Sequence, residues 1–468
     1  MKKFLISFFS ILLVILLPIG GFFIYGECIA KDVYTDTYYA ELNDKVERLR
    51  TRENNKIVFI GGSSLIFGLR SEEIEKATGY DVVDFGLYAS LGTPIMMKLA
   101  EPYIKSGDVV VLAPEINEQT YSSYIGYETA LKCFENMNYP VASFTPEENM
   151  KFFFHYFRFL IDKGNANIEL EAPYDRASFN EYTDIDNEIV KNNILMDYYD
   201  ATQMVVPSKE LVNNDFVDVV NNYYNKLNKR GAKLYFSFSP TNQLALNKEG
   251  LNEFNEELAN KLKCPILGSI NDFTYHQYYF YDTNFHLNRA GTYLHSKTMS
   301  DLLKEALEIE NTYEINVPEA PEPEYKKSDV VNIIDGAKYR EIRSKEGKLT
   351  YSFQGLVDES KNVEEYHVPE QVNGITVTNI GYHVFKDMPY LKKVTLSKTI
   401  TSLVNPLFEN CPNAEALYLE HEKAPSVCAT GLVDGASPNI KIYIKAEYYL
   451  KFINNYSWMA YSGLFEAY

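Results

Sequence analysis

Two short stretches carry hydroxyl, imidazole and carboxylate groups in a pattern suited to acyl chemistry. The first is Gly61-Gly-Ser-Ser-Leu-Ile-Phe-Gly68, reached through the apolar run Lys56-Ile-Val-Phe-Ile-Gly61. Small residues there let the backbone turn sharply and leave a hydroxyl at the carboxyl end of a parallel strand, where ligands of open sheets collect. Ser64 is the expected nucleophile; the competing reading has these serines capping the helix that follows. The second stretch is Tyr281-Asp-Thr-Asn-Phe-His-Leu-Asn-Arg-Ala-Gly291. An imidazole can take a serine proton while a carboxylate holds its other nitrogen in the right tautomer. His286 and Asp282 are the expected base and orienter, with Asn284 as a competing orienter. A purely structural Asp–His pair is the alternative.

These groups need a scaffold, and the chain supplies alternating strand and helix patterns. Lys56–Gly61, Asp81–Phe85, Asp108–Leu112, Lys233–Phe238 and Pro265–Gly268 read as short apolar strands. Thr93–Ile104, Leu211–Leu227, Leu251–Leu262 and a segment ending near Glu308 have helical spacing. Strands alternating with helices imply an α/β fold with a parallel sheet covered on both faces. The interval 114–206 is too long for one crossover and is rich in Phe, Tyr and Asn, so it is expected to form an inserted cap or substrate-facing excursion.

Taken in this order, the residues resemble the SGNH/GDSL hydrolase superfamily, over about residues 54–308 of a domain spanning 50–310. Gly62-Ser-Ser-Leu-Ile-Phe-Gly68 sits where that family has its Gly-Asp-Ser-Leu block, with Ser63 in place of the Asp and Ser64 on the nucleophile. Similar Gly-Ser-Ser variants occur in the branch containing teichoic-acid D-alanylation and polysaccharide acetylation proteins. The resemblance implies a flavodoxin-like three-layer sandwich and places the Gly86 amide, in Asp84-Phe-Gly86, at the oxyanion position. Two departures stand out. The closing block reads Asp282-x-x-x-His286 where the family has D-x-x-H. In Ala113-Pro-Glu-Ile-Asn-Glu118, Glu115 lies near where the family's neutral amide donor is expected, and Asn117 is the candidate for the second oxyanion donor, a position this departure leaves open. The implied activity is ester removal or O-acyl transfer on a cell-envelope polysaccharide or acylated polymer.

Residues 312–329 contain Val317-Pro-Glu-Ala-Pro-Glu-Pro-Glu324, whose prolines and like charges mark an extended linker. Beyond it, Ile380, Val384, Phe385, Pro389, Val394 and Leu396 recur 23 residues later as Leu403, Leu407, Phe408, Pro412, Leu417 and Leu419. A fixed offset of this kind means stacked supersecondary units, here a small solenoid. Asn379-Ile-Gly-Tyr-His-Val-Phe385, Leu391-Lys-Lys-Val-Thr-Leu396 and the closing Ile442–Trp458 segment resemble BspA-type leucine-rich repeats, over about 345–468. That resemblance implies binding, with a surface protein as a possible ligand. An Asn373-Gly374 hairpin is expected to cap the array.

At the other end, residues 1–30 form an expected membrane anchor. Lys2 and Lys3 precede an uncharged stretch from Phe4 to Gly26, long enough to span a bilayer, and the charge bias leaves everything after about residue 30 outside the cell. No small-x-small cleavage site follows, which favours an uncleaved anchor. The net charge of −19 repels a phosphate backbone, so nucleic acid is not an expected partner. Cys28, Cys133, Cys264, Cys411 and Cys428 show no metal or redox spacing, and His155, in Phe152-Phe-Phe-His-Tyr-Phe157, reads as a half-buried structural residue. Neither metal nor cofactor is expected. The sequence thus supports an anchored serine esterase or acyltransferase; the alternative is an inactive surface adhesin working through its repeats.

Overall fold

The computed structural model describes residues 2–28, 31–135, 137, 139–166, 168, 170, 172–195, 205–323, 325–404, 406–427 and 431–468. Cys428 and part of the 114–206 excursion, residues 196–204, lie outside them. The chain is a mixed α/β protein with parallel sheets. The apolar N-terminal stretch is one helix, α1 (Lys2–Cys28), and its Ser7–Gly26 portion is long and apolar enough to cross a membrane.

After α2 (Glu41–Thr51), strands β1 (Lys56–Gly61), β2 (Asp81–Gly86), β3 (Val109–Leu112) and β4 (Lys233–Phe236) form a wholly parallel sheet in the order β2-β1-β3-β4. All six residues of β1 are buried, the continuous Val/Ile-rich pattern of a strand with no wet face. The intervening segments are α3 (Ser63–Ile66), α4 (Ser71–Thr78) and α5 (Thr93–Ala100), with α5 packed on β1 and α4 on β2. The predicted Pro265–Gly268 strand is reduced to one bridge, Phe236 to Ile266, flanking β4.

The excursion holds α6 (Tyr127–Phe134), α7 (Pro146–Asn165) and α8 (Asn187–Val190) around an aromatic cluster that includes Phe134, Tyr139, Phe144 and Phe152. A full capping box at Thr145 and Glu148 starts α7. Next come α9 (Asn214–Arg230), packed on β4, then α10 (Leu251–Lys261) and α11 (Arg289–Leu307), whose N-cap is Asn288. The two-residue strands β5 (Thr241–Asn242) and β6 (Thr274–Tyr275) pair with each other.

The described residues from 310 to 323 have no regular structure, but Tyr325–Asp329, part of the expected linker, lie in strand β7 (Tyr325–Ile334). It pairs antiparallel with β8 (Ala337–Ser344) across an Asp335-Gly336 turn, and β8 with β9 (Leu349–Leu356). Then come β10 (Glu365–Val368), β11 (Gln371–Val372) and β12 (Ile375–Ile380). Asn373 and Gly374 both take positive φ between β11 and β12, the conformation a two-residue hairpin needs. The remaining strands are β13 (Phe385–Lys386), β14 (Lys393–Leu396), β15 (Ser402–Leu403), β16 (Phe408–Glu409), β17 (Ala416–Leu419), β18 (Lys441–Ile444) and β19 (Phe465–Ala467). Residues 23 apart are parallel partners: Ile380 with Leu403, Phe385 with Phe408, Val394 with Leu417. The ladder runs β10-β14-β17-β18-β19.

Candidate functional site

β1 ends at Gly61, and α3 starts two residues later, so the two serines occupy the first turn of a helix that leaves the sheet. Consecutive helical residues point about 100° apart, and only one of the two can face the His loop. That residue is Ser63. Its Oγ lies 2.8 Å from His286 Nε2, and His286 Nδ1 lies 2.8 Å from Asp282 Oδ1. Ser64, the expected nucleophile, is fully buried, and its hydroxyl has no hydrogen-bond partner. The correction is a register shift of one: the block that turns is Gly61-Gly62-Ser63-Ser64, and Ser64 occupies the inward position.

The imidazole is fixed on every side. Its ring lies flat on Phe67, with centroids 4.1 Å apart and planes 9° from parallel, and Tyr281 stacks on the same Phe67. The Leu287 amide donates to the Phe67 carbonyl at 3.2 Å, joining the His loop directly to the nucleophile turn. Thr283 Oγ1 accepts the Phe285 and His286 amides, and Tyr281 N–H donates to the His286 carbonyl. From α11, His295 Nδ1 meets the Gly68 carbonyl at 2.7 Å, a second tie between the two stretches. Burial pushes the pKa of His295 down to about 4, so this ring is neutral.

Asp282 is held from a direction that the sequence does not foreshadow. The Tyr174 hydroxyl, from the 114–206 excursion, donates to Asp282 Oδ2, leaving Oδ1 for His286. Asn284, the competing orienter, instead accepts from Asn242 Nδ2 at 3.2 Å. The extra residue between Asp282 and His286 is therefore accommodated by a loop that returns both side chains to one side.

The expected oxyanion donors are placed differently. Gly86 N–H already donates to Asp84 Oδ1 at 2.7 Å, in a buried network where Lys45 Nζ also meets Asp84 and the Thr183 carbonyl. Asn117 Oδ1 accepts the amides of Gln119 and Thr120 at 3.0 Å, which binds the side chain to its own turn. Glu115 lies beneath the nucleophile turn, 2% exposed; its Oε1 accepts the Ser64 amide at 2.9 Å and its Oε2 has no partner. A Cβ at position 62 would overlap both carboxylate oxygens, so Gly62 is required for this approach.

A cavity of about 400 Å³ opens elsewhere, among Glu41, Asp44, Arg48, Arg176 and Thr183; its lining contains none of Ser63, Asp282 or His286. What the site residues can do is relay a proton: Ser63 to His286, with Asp282 and Tyr174 holding the ring in place.

No family model matches the chain, and no curated protein matches it. Among solved structures, the chain is similar in part to the crystal structure of a leucine rich cell surface protein from Faecalibacterium prausnitzii A2-165. It is 19% identical, with a TM-score of 0.18, over 28% of this chain and 38% of that one.

Proposed function

We propose that the chain is a membrane-anchored, extracytoplasmic serine esterase or O-acyltransferase acting on a cell-envelope glycan or acylated polymer. In this reading residues 50–310 form an SGNH-like, flavodoxin-like domain and residues 345–468 a leucine-rich-repeat solenoid used for docking. The observation that carries it is the unbroken Ser63–His286–Asp282 hydrogen-bond chain, with 2.8 Å at each link. Ser63 Oγ attacks the ester carbonyl carbon while its proton passes to His286 Nε2. The C–O bond to the alcohol breaks as that proton returns to the leaving oxygen. Water or a sugar hydroxyl then attacks the acyl carbon while its proton passes to His286 Nε2, and the acyl–Oγ bond breaks as that proton returns to Ser63, giving hydrolysis or transfer. The wholly parallel four-stranded sheet, with the serine at the carboxyl end of β1, supports the hydrolase fold. The 23-residue parallel register supports the solenoid. The apolar helix α1 and the two lysines before its core support the anchor and its orientation.

A second reading, an inactive fold that binds through its C-terminal region, is favoured by one specific observation. Gly86 N–H is committed to Asp84 Oδ1, and the Glu115 carboxylate lies below the turn where neutral donors would help. The two readings part on serine reactivity. The full chain in detergent is treated with a fluorophosphonate probe alongside Ser63→Ala, Ser64→Ala and His286→Ala. Labelling of the wild type and of Ser64→Ala, lost in the other two, is expected. An unlabelled wild type would sink the enzyme reading, and labelling that survives Ser63→Ala would move the nucleophile away from Ser63.

A further inference from the structure

Helix α7 carries two apolar faces. Phe152, Phe159 and Leu160 are buried in the core, whereas Met150, Phe153, Phe154 and Ile161 are 55, 38, 63 and 59% exposed. With half-buried Phe157 they stand at offsets of 0, 3, 4, 7 and 11 from Met150, one continuous stripe along a helix. An outward-facing stripe of that kind on a folded surface marks a contact with something apolar.

The structure shows where that stripe begins. The Phe22 ring of α1 stacks on Phe157, centroids 5.2 Å apart. Four residues on, Gly26 approaches α7 so closely that a Cβ there would come within 2.6 Å of Leu160 and 2.7 Å of Tyr156. Gly26 is also the last residue of the membrane-length apolar segment. At 1.5 Å per residue, Phe22 lies about 6 Å inside that end, and an interfacial helix buries its apolar face by about 5–10 Å. Phe157, within the stripe, therefore stands at the depth where the span ends. Lys151 and Arg158, 51 and 70% exposed, border the stripe with long stems that can carry their charges back to water.

We propose that α7 lies in the bilayer interface beside the exit of α1, its Met150–Ile161 stripe immersed among lipid acyl chains, so that the folded part is seated on the membrane. This rests on the reading of α1 as a membrane span. The excursion that carries α7 also carries Tyr174, so the element that braces Asp282 is the one fixed to the lipid surface.

The test uses full-length protein reconstituted in phosphatidylcholine vesicles, with and without brominated acyl chains, as Phe154→Trp, Met150→Trp, Leu13→Trp and Tyr390→Trp. Tyr390 lies in the C-terminal region, 60% exposed, and the native Trp458, fully buried there, supplies a constant background. Brominated lipid is expected to remove roughly half of the added emission at positions 154 and 150, as for a ring at the acyl boundary. It should remove more at position 13 and none at position 390. Quenching at 13 without quenching at 150 or 154 would overturn the proposal and leave the span standing, the stripe then facing protein such as a second copy. Absence of quenching at 13, 150 and 154 would overturn both.

Discussion

The two regions of this molecule are built on opposite principles. Around the parallel sheet the core contains charge: Lys45 against Asp84, Lys56 against Asp108 at 2.6 Å, and buried Glu115 and Asp184. In the region after residue 325, no Lys, Arg, Asp or Glu is buried among the described residues; the buried polar groups are Ser352, Asn379, Ser397, Ser402, His421 and Ser437. A buried ion pair seldom adds stability over an apolar replacement, yet removing one member is costly. The sheet region therefore trades robustness for fixed charges at both ends of its strands. The C-terminal region packs a neutral core between its strands, keeps their charged side chains outside, and gains a regular surface.

The contrast can be tested from the chemistry downwards. The largest effect is expected at the relay: His286→Ala should lower small acyl-ester hydrolysis by about a thousandfold or more. His421→Gln in the neutral core should leave that rate within about twofold, since its ring hydrogen-bonds the Ile400 carbonyl, within the C-terminal region. Comparable loss in both would merge the regions into one unit.

Next is the charged core itself. Lys56→Met strands Asp108, which also accepts the Lys56 and Lys105 amides, and should cost about 3–5 kcal/mol. Lys56→Met with Asp108→Leu should recover most of that. Trp458, the only tryptophan, is buried in the C-terminal region and reports that region alone. Urea unfolding followed by circular dichroism should therefore shift in Lys56→Met while the Trp458 transition stays put. Movement of both would contradict separate cores.

Acid should then divide the regions. Burial pushes His421 and His295 each down to about 4. A histidine with a lowered folded pKa stays neutral while the unfolded chain gains a proton, so stability falls as pH drops from about 6.5 towards 4. In the sheet region Asp184 opposes this: burial raises it to about 6, so the folded state takes up that proton first and gains stability over the same window. The Trp458 transition should accordingly weaken by on the order of 2 kcal/mol between pH 7 and 4.5, and His421→Gln should flatten it. A flat wild-type profile would remove His421 from the account. The smallest effect is on the outer surface, where Tyr418 and Tyr443 stack at 4.4 Å across adjacent strands; Tyr443→Ala should cost about 0.5–1 kcal/mol in the same measurement.

The sheet strands were readable because continuous Val/Ile runs admit few other fates, and the offset of 23 was readable because the same apolar types recur. Asp282 and His286 were readable as a pair. What was not readable was which serine they meet: both hydroxyls stand on one turn, and the choice depends on where β1 stops, a single-residue question no periodicity answers. Tyr174 gave no signal, since its meeting with Asp282 is made by tertiary packing of an excursion without motifs. Nor did the Lys45 and Lys56 pairs, because an isolated lysine looks solvated until its partner is known. The β7–β8 hairpin did carry its mark, Asp335-Gly336, a two-residue turn signal between the stretch read as linker and the stretch read as repeats.

The closeness of Glu115 to Gly62 reaches beyond this one molecule. With the carboxylate seated where a side chain would begin, neither position can change alone without cost, and substitutions at the two should be strongly non-additive. Descendants of this chain should accordingly inherit the pair as a unit, keeping the glycine while they keep the acid and becoming free to lose it only after a smaller residue has replaced Glu115.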